Sequence, residues 1–156
     1  METPELPILH LAADHAGLAH KELVKAWLQS EGYQVVDHGA HQFDGEDDFP
    51  DFIAPAAQAV QLAPARTKGI IFGGSGQGEA MCANRFSHVR ATVYYGGLEE
   101  IVTLSREHND ANILSIGARF VDVDTTKRVV WLWLHTEPLM NDKYHRRNHK
   151  LSALAL

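Results

Sequence analysis

Apolar runs of strand length alternate along this chain with segments of helical period, each pair separated by Gly, Asp or Pro. Parallel neighbours in a sheet need a crossover of a dozen or more residues, so this alternation confines the chain to repeated βαβ units and a mostly parallel sheet. The spacing predicts strands over residues 8–13, 33–37, 69–72, 90–95 and 112–117. Helices are predicted from residue 18 to about 32 and over 52–62, 79–85, 98–107, 123–135 and 145–154. The segment 123–135 is rich in Val, Leu and Trp, and its β-branched content leaves a strand as the competing reading. The 156 residues, 45% of them hydrophobic, amount to one ordinary domain spanning 1–156.

Charge and cysteine usage remove several function classes. With 14 basic against 20 acidic residues the net charge is -6, which argues against a nucleic-acid or anionic-membrane binder, so any anion site must be local. The single cysteine, Cys82, cannot form an internal disulfide, and the first thirty residues carry no secretory signal pattern. No apolar run approaches the roughly eighteen residues that cross a bilayer. A cytoplasmic protein is expected.

The most informative segment is Gly73-Gly74-Ser75-Gly76-Gln77-Gly78, between the third strand and the helix after it. Glycines there let backbone amides converge on one point, as an anion requires, although a tight βα connection uses glycine for steric reasons too. Spacing excludes a dinucleotide fingerprint, because Glu79 stands where its third glycine belongs; no Lys follows Gly78 as in a Walker loop, and Gln77 breaks a nucleophile elbow around Ser75. Glu79 itself could move a proton on a carbon beside the turn. An acidic residue in a first helical turn equally suits the helix dipole, and the residues alone leave both readings open.

Six segments in order carry a resemblance: Ala13-Asp14-His15-Ala16-Gly17, Asp48-Phe49-Pro50-Asp51, Gly74 to Glu79, Ala83-Asn84-Arg85, Ser105-Arg106-Glu107-His108-Asn109-Asp110-Ala111-Asn112, and Gly117-Ala118-Arg119. Together they closely resemble the ribose-5-phosphate isomerase B family, which also contains allose-6-phosphate and galactose-6-phosphate isomerases. The resemblance implies a three-layer α/β/α sandwich with a five-stranded, Rossmann-like parallel sheet. It also implies a homodimer or homotetramer whose active sites sit at the subunit interface, with no metal and no organic cofactor.

In that family a base takes the C2 proton of the open-chain aldose, a cis-enediolate forms, and the proton returns at C1. Some members place a cysteine just before the glycine turn, others a glutamate just after it; here Gly73 occupies the first position, so Glu79 is the expected base and Cys82 a bystander. His108 matches the histidine that helps open the ring, with Asn109 beside it for substrate hydroxyls, both from a neighbouring subunit. Asp14 and His15 match positions that contact the ring oxygen, hydroxyls and phosphate, although Asp14 could simply cap a helix. Gly74, Ser75, Gly76 and Gly78 would hold the enediolate oxygen.

For the phosphate, Arg119 matches the family's G-x-R turn. In an R-H-x-x-R pattern near the C-terminus, Arg146 is read as the first arginine, with Arg147 replacing the histidine and Lys150 the second arginine; Arg146 and Lys150 share a helical face. Phe49 stands where many members carry tyrosine. His145 with His149, and His38 with His41, lack a third metal ligand, and the stretch 44–48 reads as solvated loop. The resulting expectation is an isomerase of ribose 5-phosphate and ribulose 5-phosphate. A six- or four-carbon sugar phosphate is the nearest variant, and a non-catalytic sugar-phosphate sensor or a flavodoxin-like module are the readings from other classes.

Overall fold

A computed structural model describes residues 5–154. Five strands, β1 (Ile8–Ala13), β2 (Val35–Asp37), β3 (Thr67–Gly73), β4 (Ala91–Tyr94) and β5 (Ile113–Gly117), form one all-parallel sheet in the order β2-β1-β3-β5-β4. The helices are α1 (Leu18–Ser30), α2 (Pro50–Leu62), α3 (Gln77–Ala83), α4 (Glu100–Glu107), α5 (Val123–Leu134) and α6 (Asp142–Ser152). This is the α/β/α sandwich that the family resemblance implied.

Two apolar clusters cover the faces of the sheet, because side chains alternate along each strand. Leu9, Leu11, Ile70, Phe72, Leu114 and Ile116 pack against α1, α4 and α5 through Val24, Leu28, Val102, Val129, Val130 and Trp133. On the other face Ala12, Ile71 and Ile113 meet Ile53, Ala56, Ala57 and Val60 of α2 and Ala83 of α3. Pro55 is the sixth residue of α2, which begins earlier than predicted, so it stands past the first turn and its missing N–H removes the hydrogen bond to the Asp51 carbonyl. The competing strand over 123–135 is overruled. Asp122 caps a helix there, accepting from the Thr125 amide at 2.7 Å, and the β-branched residues Val129 and Val130 are wholly buried on its core side. The last helix begins at Asp142 with Asn141 as its N-cap residue, three positions earlier than predicted.

The chain steps from β1 to β2 on one side and then to β3 on the other, so the order reverses between β1 and β3. Ligands of open parallel sheets bind beyond the strand C-termini at such a reversal. The loops that leave β1 and β3 there are Asp14–Gly17 and Gly74–Gly76.

His10 of β1 and His38 after β2 share a hydrogen bond, Nδ1 to Nε2, of 2.8 Å. One ring must accept, so at least one imidazole is neutral. Burial is the larger cause lowering both basicities, aided at His10 by the neighbouring His38 and opposed at His38 by Asp37. Since the folded values lie below the ordinary one, the unfolded chain binds more protons once pH drops under about 6.5, and stability falls with it. The urea midpoint is expected to decline from about pH 7.5 to 5.5, and less steeply in His38→Gln. Equal slopes in the two proteins would remove the pair as a cause.

Candidate active site

Glu79 opens the site. The left-handed Gly76 (φ 75°) turns the chain from β3 into α3, and Ser115 of β5 pins the bend by donating from Oγ to the Gly76 carbonyl at 2.6 Å. A side chain at position 76 would be strained by that φ. α3 then carries Glu79 back over the strand end. Its side chain is only 4% exposed, and a Cβ built on Gly73 would overlap all three carboxyl atoms of Glu79. Positions 73 and 79 therefore share one space: a cysteine before the turn and this placement of a glutamate after it exclude each other sterically. Burial is the main cause raising the Glu79 pKa; an amide hydrogen bond works against it, and the charge of Asp14 adds to the rise. Among the described residues no backbone or side-chain acceptor takes the Ser75 and Gly76 amides.

Four other sequence-selected groups gather at the same end of the sheet. Asp14, 8% exposed, closes the turn before α1 through Oδ1, which accepts from the Ala16 and Gly17 amides at 3.0 and 3.3 Å. The N-cap residue of α1 is Gly17, with no side-chain cap, so Asp14 does not cap the helix, and its Oδ2 takes no part in the turn. His15 lies 2.6 Å from Asp47 through Nδ1, and its own amide donates to the same oxygen at 3.2 Å. That hydrogen bond is the first cause raising the His15 pKa. Arg119 follows β5 with its guanidinium against the turn: a Cβ on Gly74 would lie 3.1 Å from Nη2. Arg119 forms no ion pair among the described residues. Phe49 packs its ring on Gly78, where an added Cβ would stand 2.9 Å from Cζ.

Asp47 is a correction to the sequence reading, which left it in a solvated stretch. Its neighbours Asp44, Glu46 and Asp48 are exposed, yet its own side chain is 8% exposed and its Oδ2 is buried with no partner. An aspartate within an acidic run gave no sign of this, because the loop comes back over His15 only in the folded chain. Asp14, His15 and Asp47 are also the one set of three ligand-type atoms within 4.8 Å of one another among the described residues. Hydrogen bonding already accounts for the contact between His15 and Asp47.

His108 and Asn109 are not brought to Glu79. They close α4 and precede β5, whereas Arg119 follows β5, so the strand's five residues, about 16 Å, separate the two groups. In an all-parallel sheet every helix-to-strand loop lies at the edge opposite to the strand-to-helix loops, and no loop movement reconciles them. The rest of that motif is scaffolding. Arg106 donates to Asp110 at 2.8 Å and to the Ala111 and Thr136 carbonyls; Arg90 donates to the Asn109 and Asp110 carbonyls; Asn112 accepts from the Arg90 amide and donates to the His88 carbonyl. Asp110 takes a positive φ of 44° in the bend these bonds enclose. His108 and Asn109 are what the motif displays. Asn84 serves similarly, exchanging two hydrogen bonds with Ala91 of the edge strand β4 at 2.8 and 2.9 Å.

α6 lies at this second end. Tyr144 stacks on His108, with ring centroids 4.6 Å apart and planes 12° from parallel, and Asn148 donates to the His108 carbonyl at 3.1 Å. Arg146 and Lys150 are exposed and fall two positions, about 200° of helical rotation, from that face. Sequence reasoning missed Tyr144 and Asn148, though a signal existed: anchoring R-H-x-x-R on His145 instead of on Arg146 sets these two at the arginine positions. A groove of about 630 Å³ runs between the end of α3, β4 and α6 past Arg90 and Asn109, and does not reach Glu79.

Known proteins resemble this chain in sequence and fold. A family model described as Ribose/Galactose Isomerase matches residues 9–151. Ribose-5-phosphate isomerase B of Mycolicibacterium paratuberculosis is 34% identical over 139 residues, covering 89% of this chain and 86% of that protein. The Mycobacterium tuberculosis protein of the same name is 33% identical over 145 residues, 93% and 87% of the two chains. The crystal structure of Mycoplasma genitalium ribose-5-phosphate isomerase B with bound ribulose-5-phosphate superposes with a TM-score of 0.88 at 30% identity, covering 95% of this chain and 96% of the other. That of Thermotoga maritima gives 0.86 at 29% identity, covering 96% and 100%.

Proposed function

The chain belongs to the ribose/galactose isomerase family and is an aldose–ketose isomerase of sugar phosphates, and from that premise we propose that it interconverts ribose 5-phosphate and ribulose 5-phosphate with Glu79 as the proton-transfer base. The observation that carries this reading is the Glu79 carboxyl, buried at 4% exposure and folded against Gly73 at the mouth of the glycine turn, with its pKa raised. A base whose pKa moves up towards working pH is a stronger acceptor for a carbon-bound proton.

Glu79 takes the proton from C2 of the open-chain aldose, and the electron pair moves into the C1–C2 bond while charge collects on the aldehyde oxygen. The free amides of the turn hold that oxygen, and after the hydroxyl proton shifts from O2 to O1 the same carboxyl delivers its proton to C1. Asp14 and His15 align the hydroxyls. The phosphate lies against Arg119. Opening of the sugar ring is assigned to His108, with Asn109, supplied by a second copy of the chain, since one copy holds these groups at opposite ends of its sheet. The exposed Met81, Leu98, Ile101 and Phe120 give a second copy apolar surface to cover. Arg146 and Lys150 stand on an outward stripe of α6, and their share in holding phosphate is measured by KM in Arg146→Gln and Lys150→Gln. Among the described residues no helix is long and apolar enough to cross a membrane.

Turnover of ribose 5-phosphate, allose 6-phosphate, galactose 6-phosphate, erythrose 4-phosphate and free ribose, each with and without a chelator, tests the assignment. Ribose 5-phosphate is expected to show the highest kcat/KM, unchanged by chelator. A six-carbon phosphate turned over faster would reassign the substrate, and activity abolished by chelator would overturn the mechanism.

A further inference from the structure

α6 is joined to the His108 bend by two different contacts from one helical face. The ring of Tyr144 lies nearly parallel to the imidazole at 4.6 Å, and four residues on, one turn later, the Asn148 amide holds the carbonyl of residue 108 at 3.1 Å. One contact sets the plane of the ring and the other its backbone. Neither occupies an imidazole nitrogen by hydrogen bonding, so both nitrogens stay available for proton transfer. Lys143 adds a cation 4.9 Å from the Tyr144 ring centroid, and the Arg90 and Arg106 bonds to Asp110 stiffen the bend from below. α6 buries no residue of its own, so core packing does not explain why Tyr144 and Asn148 face inward.

We infer that Tyr144 is a positioning residue for His108: its stacked ring, with Asn148 on the adjoining carbonyl, holds the imidazole in one orientation for the sugar bound to a neighbouring copy of the chain. The inference rests on the proposed part of His108 in ring opening. A histidine displayed on a surface bend would otherwise sample several rotamers, and fixing one removes that entropy before substrate arrives. A stacking role needs an aromatic ring and no hydroxyl, whereas a substrate-binding role for Tyr144 would need the hydroxyl and would show in KM.

Tyr144→Phe is therefore expected to keep nearly full kcat and KM. Tyr144→Leu, of similar bulk, is expected to lose about tenfold in kcat with KM little changed, and to blunt any limb of the pH profile that His108→Asn abolishes. The decisive measurement is the double variant: in a His108→Asn background Tyr144→Leu should cost nothing more, because it acts only through the imidazole. Circular dichroism and the oligomeric state separate this from misfolding, and Asn148→Ala gives a second route, expected to lower kcat without loss of fold. Full additivity of Tyr144→Leu with His108→Asn, or equal damage from Phe and Leu, overturns the inference while leaving the function intact. A full rate in His108→Asn overturns the role of His108 and the inference with it.

Discussion

Glu79→Gln is expected to lower kcat by about a thousandfold or more, the size of effect that loss of a positioned general base produces, with KM and the oligomeric state close to those of the parent protein. The amide matches the carboxyl in shape, so it fits the same space over Gly73, but it accepts no proton from C2. Stability should hold or rise. Burial is the leading cause of the raised pKa, so the folded state binds the proton more tightly than the unfolded chain does, and ionised Glu79 works against folding as pH climbs through and beyond the ordinary glutamate value. Gln removes that penalty, and the melting temperature near neutral pH is expected to equal or exceed that of the parent. In the parent, the acid limb of kcat should lie above the ordinary glutamate range. An amide variant that still turns over at more than about a tenth of the parent rate would take the base away from Glu79.

Mixing two impaired variants should restore activity. If Glu79 of one copy works with His108 of another, a dimer of a Glu79→Gln chain and a His108→Asn chain has one doubly damaged site and one intact site. Random reassociation of equal amounts makes half of all dimers mixed, so about a quarter of the parent activity should return. The expectation follows from the topology. Glu79 at the start of α3 and Arg119 after β5 stand at the strand-exit end of a parallel sheet and His108 at its strand-entry end, so a site using both takes them from different copies. Sites complete within one chain would give no recovery at any mixing ratio, because every site would keep one lesion. The readout is activity after unfolding and refolding together, compared with each variant refolded alone.

The sheet was legible because apolar runs of strand length and segments of helical period are local patterns, and five strands with intervening helices emerged within two residues of most boundaries. Boundaries drifted where an end is decided by contacts beyond the pattern, as at β3, which runs from Thr67 to Gly73 beyond its predicted 69–72 because β1 pairs with its start and β5 with its end. The strand alternative for 123–135 could not be decided locally: β-branched residues suit either state until the core face is known, and that face exists only once the sheet has formed. Candidate residues were legible as types in motifs, yet their partition into scaffold and display was not. Arg106, Asp110 and Asn112 are as prominent in the sequence as His108 and Asn109, and only their hydrogen bonds set them apart.

By itself the sequence determined the parallel sheet of βαβ units, the glycine turn with its acidic neighbour, and the likeness to a family of isomerases that implied the layers around the sheet, since all three reside in short-range spacing of residue types. Tertiary structure alone decided that Glu79 occupies the space above Gly73, that Asp47 is a buried partner of His15, that Tyr144 and Asn148 contact His108, and that the two groups of candidate residues lie a strand's length apart. These are contacts between segments distant in the chain. They depend on strand order and on helix rotation to within a fraction of a turn, and a linear pattern of residue types carries neither.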